Sequence, residues 1–245
     1  MRRCPIVLIL VVLLSSRALA VDLYNGSLGT TPDAQGWLLF HTDGASTPVT
    51  SGGTTSFNTS AGNTEKGGFS NYTATLPPHL VNAGFPALNH VTGYNVTLDM
   101  QVLAESHTSS NRSGVGLIVL SSDLLGVELE FWNNEIWVQS GSDFQHAEGV
   151  AFNTTSANSY NLAVHGTTYD LFANGNPTAI LSGNLRNYSA AGLVYILPNF
   201  MFLGDDTTEA SGNFAFSRLA VNVPEPASIA CSASVLCALG RRRAR

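Results

Sequence analysis

Strict alternation, dense turn chemistry and a lack of helical periodicity predict an all-β chain folded as a β-sandwich. Between residues 21 and 222, apolar side chains recur at every second position, as a half-buried strand requires, and no stretch shows a convincing period near 3.6. Turn-forming residues punctuate these runs at spacings of about eight to twelve residues, the rhythm of a sandwich or barrel. Only 11% of residues are charged while 44% are hydrophobic, so apolar material suffices for a core.

The strands can be taken in order. Trp37-Leu38-Leu39-Phe40 opens a strand after the turn-rich residues 25–36. Residues 94–103, Tyr-Asn-Val-Thr-Leu-Asp-Met-Gln-Val-Leu, form a long strand with one apolar face. Residues 115–120 are a continuous apolar run, the pattern of a central strand buried on both sides. Residues 126–132 alternate again, Asn133-Asn134 supplies a two-residue turn, and residues 135–139 return. Residues 160–165 and 168–173 form another hairpin pair, and Asn174-Gly175 is the strongest hairpin turn signal in the chain. Residues 199–203 and 214–221 close the domain.

The two ends read differently. Arg2 and Arg3 precede an unbroken apolar run of nine residues, 6–14, then a polar break and Ala18-Leu19-Ala20. That order is a secretory signal peptide over residues 1–20, with Ala18 and Ala20 framing the cleavage site. At the far end, Val223-Pro224-Glu225-Pro226 precedes an uncharged stretch, 227–240, and then Arg241, Arg242, Arg243 and Arg245. As a helix that stretch would be about 21 Å long, short of a hydrocarbon core of about 30 Å, and the arginines would stop it on the cytoplasmic side. Such a segment suits transient insertion followed by cleavage.

Three parts in this order resemble the PEP-CTERM sorting tail of bacterial envelope proteins. The resemblance covers residues 223–245 and implies processing by an exosortase-type enzyme. It also implies brief anchoring in the inner membrane and delivery to the cell surface or extracellular matrix, where exopolysaccharide is the associated material. The domain of residues 21–222 resembles the concanavalin-A-like, laminin-G-like jelly roll. More narrowly, residues 25–37, 115–137 and 200–206 are similar to the choice-of-anchor domains of bacterial surface proteins. These resemblances imply a surface module of a family with no settled activity; with the export signals and no coherent catalytic set in the sequence, the expectation is a non-enzymatic structural or glycan-associated component. A eukaryotic lipid-anchored glycoprotein is disfavoured, because such anchor signals end apolar rather than in arginines.

Charge narrows the partners. Residues 21–222 hold four basic residues, Lys66, Arg112, Arg186 and Arg218, against sixteen acidic ones, a net of −12. A domain this acidic repels phosphate backbones, which excludes nucleic acid and leaves cations, neutral glycans or proteins. Cys4, Cys231 and Cys237 all lie in the end segments. The domain therefore has no disulfide framework, no thiol nucleophile and no cysteine zinc site. Its six histidines show no ligand spacing, and no Gly-x-Ser-x-Gly elbow or phosphate loop occurs.

Two acidic constellations remain. On a strand, Glu128, Glu130 and Trp132 share one face, with the two carboxylates roughly 6.5 Å apart at Cα. Paired acids beside an aromatic are the raw material of a glycosidase, so a jelly-roll glycoside hydrolase or lyase is the alternative reading. Jelly-roll glucanases place Glu, Asp and Glu on such a strand, and here Glu130 stands where the Asp would be. The plainer expectation is an outward strand whose acids are solvated, contributing at most to a glycan-binding face. Asp205, Asp206 and Glu209 form the second group. Loops of this kind on this sandwich type hold calcium through carboxylate and carbonyl oxygens, against the plainer expectation of a solvated turn. Trp37, Trp132 and Trp137 could stack on sugars, with core packing the commoner fate.

Overall fold

The first sheet runs β13 (Leu181–Asn184), β12 (Thr168–Ala173), β11 (Asn158–His165), β6 (Tyr94–His107), β16 (Ala210–Pro224), β4 (Thr54–Asn58) and β3 (Val49–Ser51). Strand β1 (Ala18–Asn25) also pairs with β16. The second sheet runs β10 (His146–Ala151), β9 (Glu135–Gln139), β8 (Leu125–Phe131), β7 (Gly116–Leu120), β15 (Met201–Asp205), β5 (Gly67–Ser70) and β2 (Leu38–His41). Strand β14 (Arg186–Asn187) joins it at β8. This is a computed structural model of the chain, and it describes residues 18–42, 46–60 and 65–224. The architecture is an all-β sandwich of two antiparallel sheets, of the jelly-roll type, in a unit spanning Ala20–Val223.

Period-two burial builds the shared core. On β6, Tyr94, Val96, Leu98, Met100 and Val102 are buried while the residues between them are partly exposed. Tyr160, Leu162 and Val164 on β11, and Tyr169 and Leu171 on β12, face the same space. From the second sheet come Leu117, Val119, Val127, Leu129, Phe131, Ile136, Val138, Met201 and Leu203.

Strand β16 keeps its apolar face only by breaking its own alternation. Phe214 and Phe216 point inward, and so do Leu219 and Val221. The phase change falls at Ser217, the extra residue between the pairs Phe216–Met100 and Arg218–Asp99. A bulge at that point restores the inward face after a one-residue slip.

The second sheet is covered on both faces. Strand β7 is buried throughout, as its continuous apolar run predicts. Its Leu117 and Val119 face the shared core, whereas Ile118 and Leu120 join a second apolar cluster with Tyr72, Tyr188, Tyr195, Phe200 and Phe202. The latter residues arrive largely from the connection between β14 and β15, which folds over the outer face in two 3₁₀ turns, Ser189–Ala191 and Leu193–Ile196.

The predicted signal helix and the C-terminal apolar helix lie outside the described residues, except that Ala18 already belongs to β1 and Val223 and Pro224 to the end of β16. Among the described residues, no helix is long and apolar enough to cross a membrane.

Candidate functional site

Alternation on β8 sends Val127, Leu129 and Phe131 into the core, so Glu128 and Glu130 point to the opposite face. That face is not open to solvent. Glu128 is 1% exposed and Glu130 2%, which overturns the expectation of solvated acids. The physical reason lies about 60 residues away in sequence, in the 3₁₀ connection that lays Tyr188 and Tyr195 over the strand. The Tyr188 hydroxyl accepts from the Glu128 backbone N–H at 3.2 Å and donates to the Gln139 carbonyl at 3.0 Å.

A third carboxylate meets the pair. Oxygen atoms of Glu128, Glu130 and Asp206 all lie within 4.8 Å of one another. The Tyr195 hydroxyl lies 2.9 Å from Glu128 Oε2 and 3.1 Å from Asp206 Oδ2. A phenol has one proton, so it satisfies one of these acceptors, and the other contact is satisfied only by a proton or cation brought from elsewhere. Gln139, on the neighbouring strand β9, donates from Nε2 to Glu130 Oε1 at 3.3 Å and to the Asn111 carbonyl at 3.0 Å. Glu130 is seated directly over its cross-strand partner Gly116, where a Cβ would come 2.9 Å from Glu130 Oε2. Glycine at 116 therefore makes the room that the carboxylate occupies.

Electrostatics follow from this crowding. Burial, reinforced by the charge of Asp206, pushes the Glu128 carboxyl well above the usual carboxylate range. Burial and the charges of Glu128 and Asp206 do the same to Glu130. Asp206 is also raised by burial, against the opposing pull of Tyr195, Arg112 and Lys66. Arg112 does not bond to the three acids. Its guanidinium donates to the carbonyls of Asn111 and Phe144, both at 2.8 Å, and lies 3.8 Å from Glu209.

A pocket of about 340 Å³ opens onto this cluster, lined by Arg112, Glu128, Gln139, Phe144, Tyr195 and Asp206 among others. Exposed Leu193 stands at its rim with a left-handed backbone, φ 50°, uncommon for a side chain with a Cβ.

The residues proposed from sequence separate here. Glu128 and Glu130 come together, and Asp206 joins them from β15's C-terminal side. Asp205 does not: it faces the other way, accepting from Thr59 Oγ1 at 2.7 Å and from the Thr207 N–H at 3.1 Å. Burial raises its carboxyl to about 8. Glu209 stays half-exposed at the pocket edge, so the expected Asp205–Asp206–Glu209 set does not converge. Trp132 lies past the end of β8, half-buried, with its ring stacked on His107 at 4.2 Å and its Nε1 donating to the Arg112 carbonyl. Trp137 is fully buried and stacks on His146, and Trp37 packs in the core, so these two tryptophans meet the commoner expectation and Trp132 does not. Sequence reasoning missed Tyr195, Gln139 and Arg112. None sits in a recognisable spacing, and only the fold brings them to β8.

No family model matches the chain, and no curated protein does. Solved structures resemble it in shape. A cellulose induced protein, Cip1, superposes with a TM-score of 0.52 at 11% identity, over 83% of this chain and 96% of that one. The exoplasmic/lumenal domain of VIP36, in a form bound to Ca2+ and Man3GlcNAc, gives 0.46 at 9% identity over 84% and 89%. The family 7 alginate lyase A1-II' gives 0.44 at 12% identity over 84% and 93%. The likeness to the first shows the fold alone.

Proposed function

We propose that the chain is an exported, non-enzymatic module of the bacterial cell surface or extracellular matrix that binds a neutral glycan at the pocket over β8. The observation that carries this reading is the make-up of the pocket. Carboxylates and the Gln139 amide offer hydrogen-bond partners for sugar hydroxyls beside the rings of Phe144 and Tyr195, in a volume within the range of about 300–1,000 Å³ typical of ligand sites. The net charge of −12 on residues 21–222 repels uronate polymers, which points to a neutral polysaccharide. The export signals support delivery outside the cell, with an exosortase-type enzyme acting at Pro224-Glu225-Pro226.

The second reading is a jelly-roll glycoside hydrolase or lyase using Glu128 and Glu130. The raised carboxyl of Glu128 favours it, because a general acid must hold its proton near neutral pH. Against it, Glu130 is raised as well, whereas a retaining pair needs one ionised nucleophile.

A screen of the full chain against neutral and acidic polysaccharides tests both readings. Binding reads as retention on neutral polymers, lost about tenfold in Arg112→Ala and Tyr195→Phe, roughly the worth of one polar contact to a charged group. No retention on any polymer by the wild type overturns the binding reading. Release of reducing or unsaturated ends, abolished by Glu128→Gln, would replace it with the enzymatic one.

A further inference from the structure

The three carboxylates pose a charge problem that the protein's own side chains do not solve. Among the described residues, no lysine, arginine or histidine forms an ion pair with Glu128, Glu130 or Asp206. Isolated carboxylates buried this closely repel one another and lose their hydration. Arg112, which lines the same pocket, spends its guanidinium on two backbone carbonyls and Glu209.

A second observation, outside the acids themselves, points the same way. Gln139 is 1% exposed, its amide nitrogen is bonded to Glu130, and the oxygen on that same amide has no hydrogen-bond partner. Glu130 Oε2 has none either. Both orphans are acceptors. Buried acceptors left without donors are rare in folded proteins and call for a missing water, ligand or ion. A proton placed between two carboxyl groups would satisfy one pair of oxygens and leave the Gln139 oxygen as it is. A cation held among the carboxylates would balance their charge as well.

We propose that Glu128, Glu130 and Asp206, with the Gln139 side-chain oxygen, bind one divalent cation of the calcium type. Calcium takes six to eight oxygen ligands at about 2.3–2.6 Å, so two opposite ligands stand about 4.6–5.2 Å apart. Three oxygens within 4.8 Å of one another fit on that sphere. All the donors are hard oxygens, carboxylate and amide, which suits calcium and gives no purchase to thiophilic metals. Glu128 and Asp206 line the pocket, so the ion has a path from solvent, and water or a ligand in the pocket can complete its coordination. Strand β8 supplies two ligands at i and i+2, β9 supplies the amide, and the residue following β15 supplies the third acid. Glu128, Glu130 and Gln139 thus sit on sheet positions, and Asp206 directly follows a strand. The site differs from the Asp205–Asp206–Glu209 loop expected from sequence, of which it keeps only Asp206. The ion would share Glu128, Asp206 and Gln139 with the proposed glycan pocket, but its binding is measured with no glycan present, so either reading can fail without the other.

The test uses the full chain stripped of metal with chelator and titrated with calcium chloride by calorimetry. One ion per chain is expected, with a Kd on the order of 10⁻⁴–10⁻³ M, the range of extracellular calcium modules. Terbium should bind at the same place and luminesce on excitation of the Tyr195 ring, with calcium displacing it. Glu130→Gln and Asp206→Asn should each weaken binding at least tenfold, while Asp205→Asn and Glu209→Gln leave it within twofold. Glu128→Gln serves if either of the first two variants fails to fold. The proposal is overturned if no saturable binding occurs up to about 10 mM calcium, well above that expected range. It is equally overturned if the Glu130 and Asp206 variants bind as the wild type does.

Discussion

At the scale of single residues, pairing decides which ionisable groups stabilise the sandwich and at what pH. His90 is the clearest case outside the pocket. Its Nδ1 faces the Gly166 carbonyl and its Nε2 lies 2.8 Å from Asp123, so both ring nitrogens have acceptors and the doubly protonated ring satisfies both. Burial works against the charge, but these two hydrogen bonds outweigh it and hold the imidazole above its ordinary value. Asp123 loses some hydration too, yet the bond to His90 takes it below its ordinary value. A raised histidine contributes fully below its unfolded value and loses the contribution as pH rises through its folded one. A lowered aspartate contributes fully above its unfolded value and loses it as pH falls through its folded one. The pair therefore stabilises most between about pH 4 and 6.5. His90→Gln should lower stability by about 1 kcal/mol near pH 5.5, the upper end for a partly exposed pair, and by less at pH 9. Urea melts at the two pH values check this, and an equal loss at both would refute the pairing. Of the candidate site, single residues were legible only in part. Glu128 and Glu130 announce themselves by spacing, while Tyr195 and Gln139 carry no local signal, because their role depends on what the chain lays beside them.

At the scale of elements, apolar patterning placed the long strands and some short ones, and missed short strands that offer no pattern. Strands β6, β11 and β12 stand where the apolar period puts them. Strand β5, Gly67–Ser70, is buried at every position yet has one large side chain, so it offers no period to read. Strands β3 and β14 have three and two residues, shorter than one repeat of any pattern. The Ser217 bulge was equally hidden, since a phase change in β16 resembles an ordinary irregularity until its partner β6 is known. Its role yields a prediction. Deleting Ser217 would turn Leu219 and Val221 toward solvent, or force the other half of the strand to slip. Burial of the two side chains is worth about 1.5–3 kcal/mol each, so the deletion should cost more than about 3 kcal/mol in a urea melt. Ser217→Ala, which keeps the extra residue, should cost less than about 1 kcal/mol. Equal effects would mean that the bulge does not set the register.

At the scale of the whole molecule, charge and covalent structure set the behaviour. Residues 21–222 carry a net charge of −12 and no cysteine, so the sandwich rests on its core alone and works against its own repulsion. Sodium chloride in the presence of chelator should raise Tm by roughly 2–4 °C per kcal/mol of repulsion screened, and reductant should leave it unchanged. A Tm that falls with salt would mean that attractive pairs such as Arg186–Glu148 and Arg218–Asp22 outweigh the excess charge. The sequence by itself determined the all-β class, the absence of disulfides from the domain, the acidity and the common face of Glu128 and Glu130. Each of these depends on residue identity and on spacing along one strand. Only the tertiary structure decided that those acids are buried, that Asp206 rather than Asp205 joins them, and that Tyr195 and Gln139 complete the cluster. Burial and convergence depend on which distant segment covers a face, and here that segment is the 3₁₀ connection between β14 and β15, which no period along β8 can reveal.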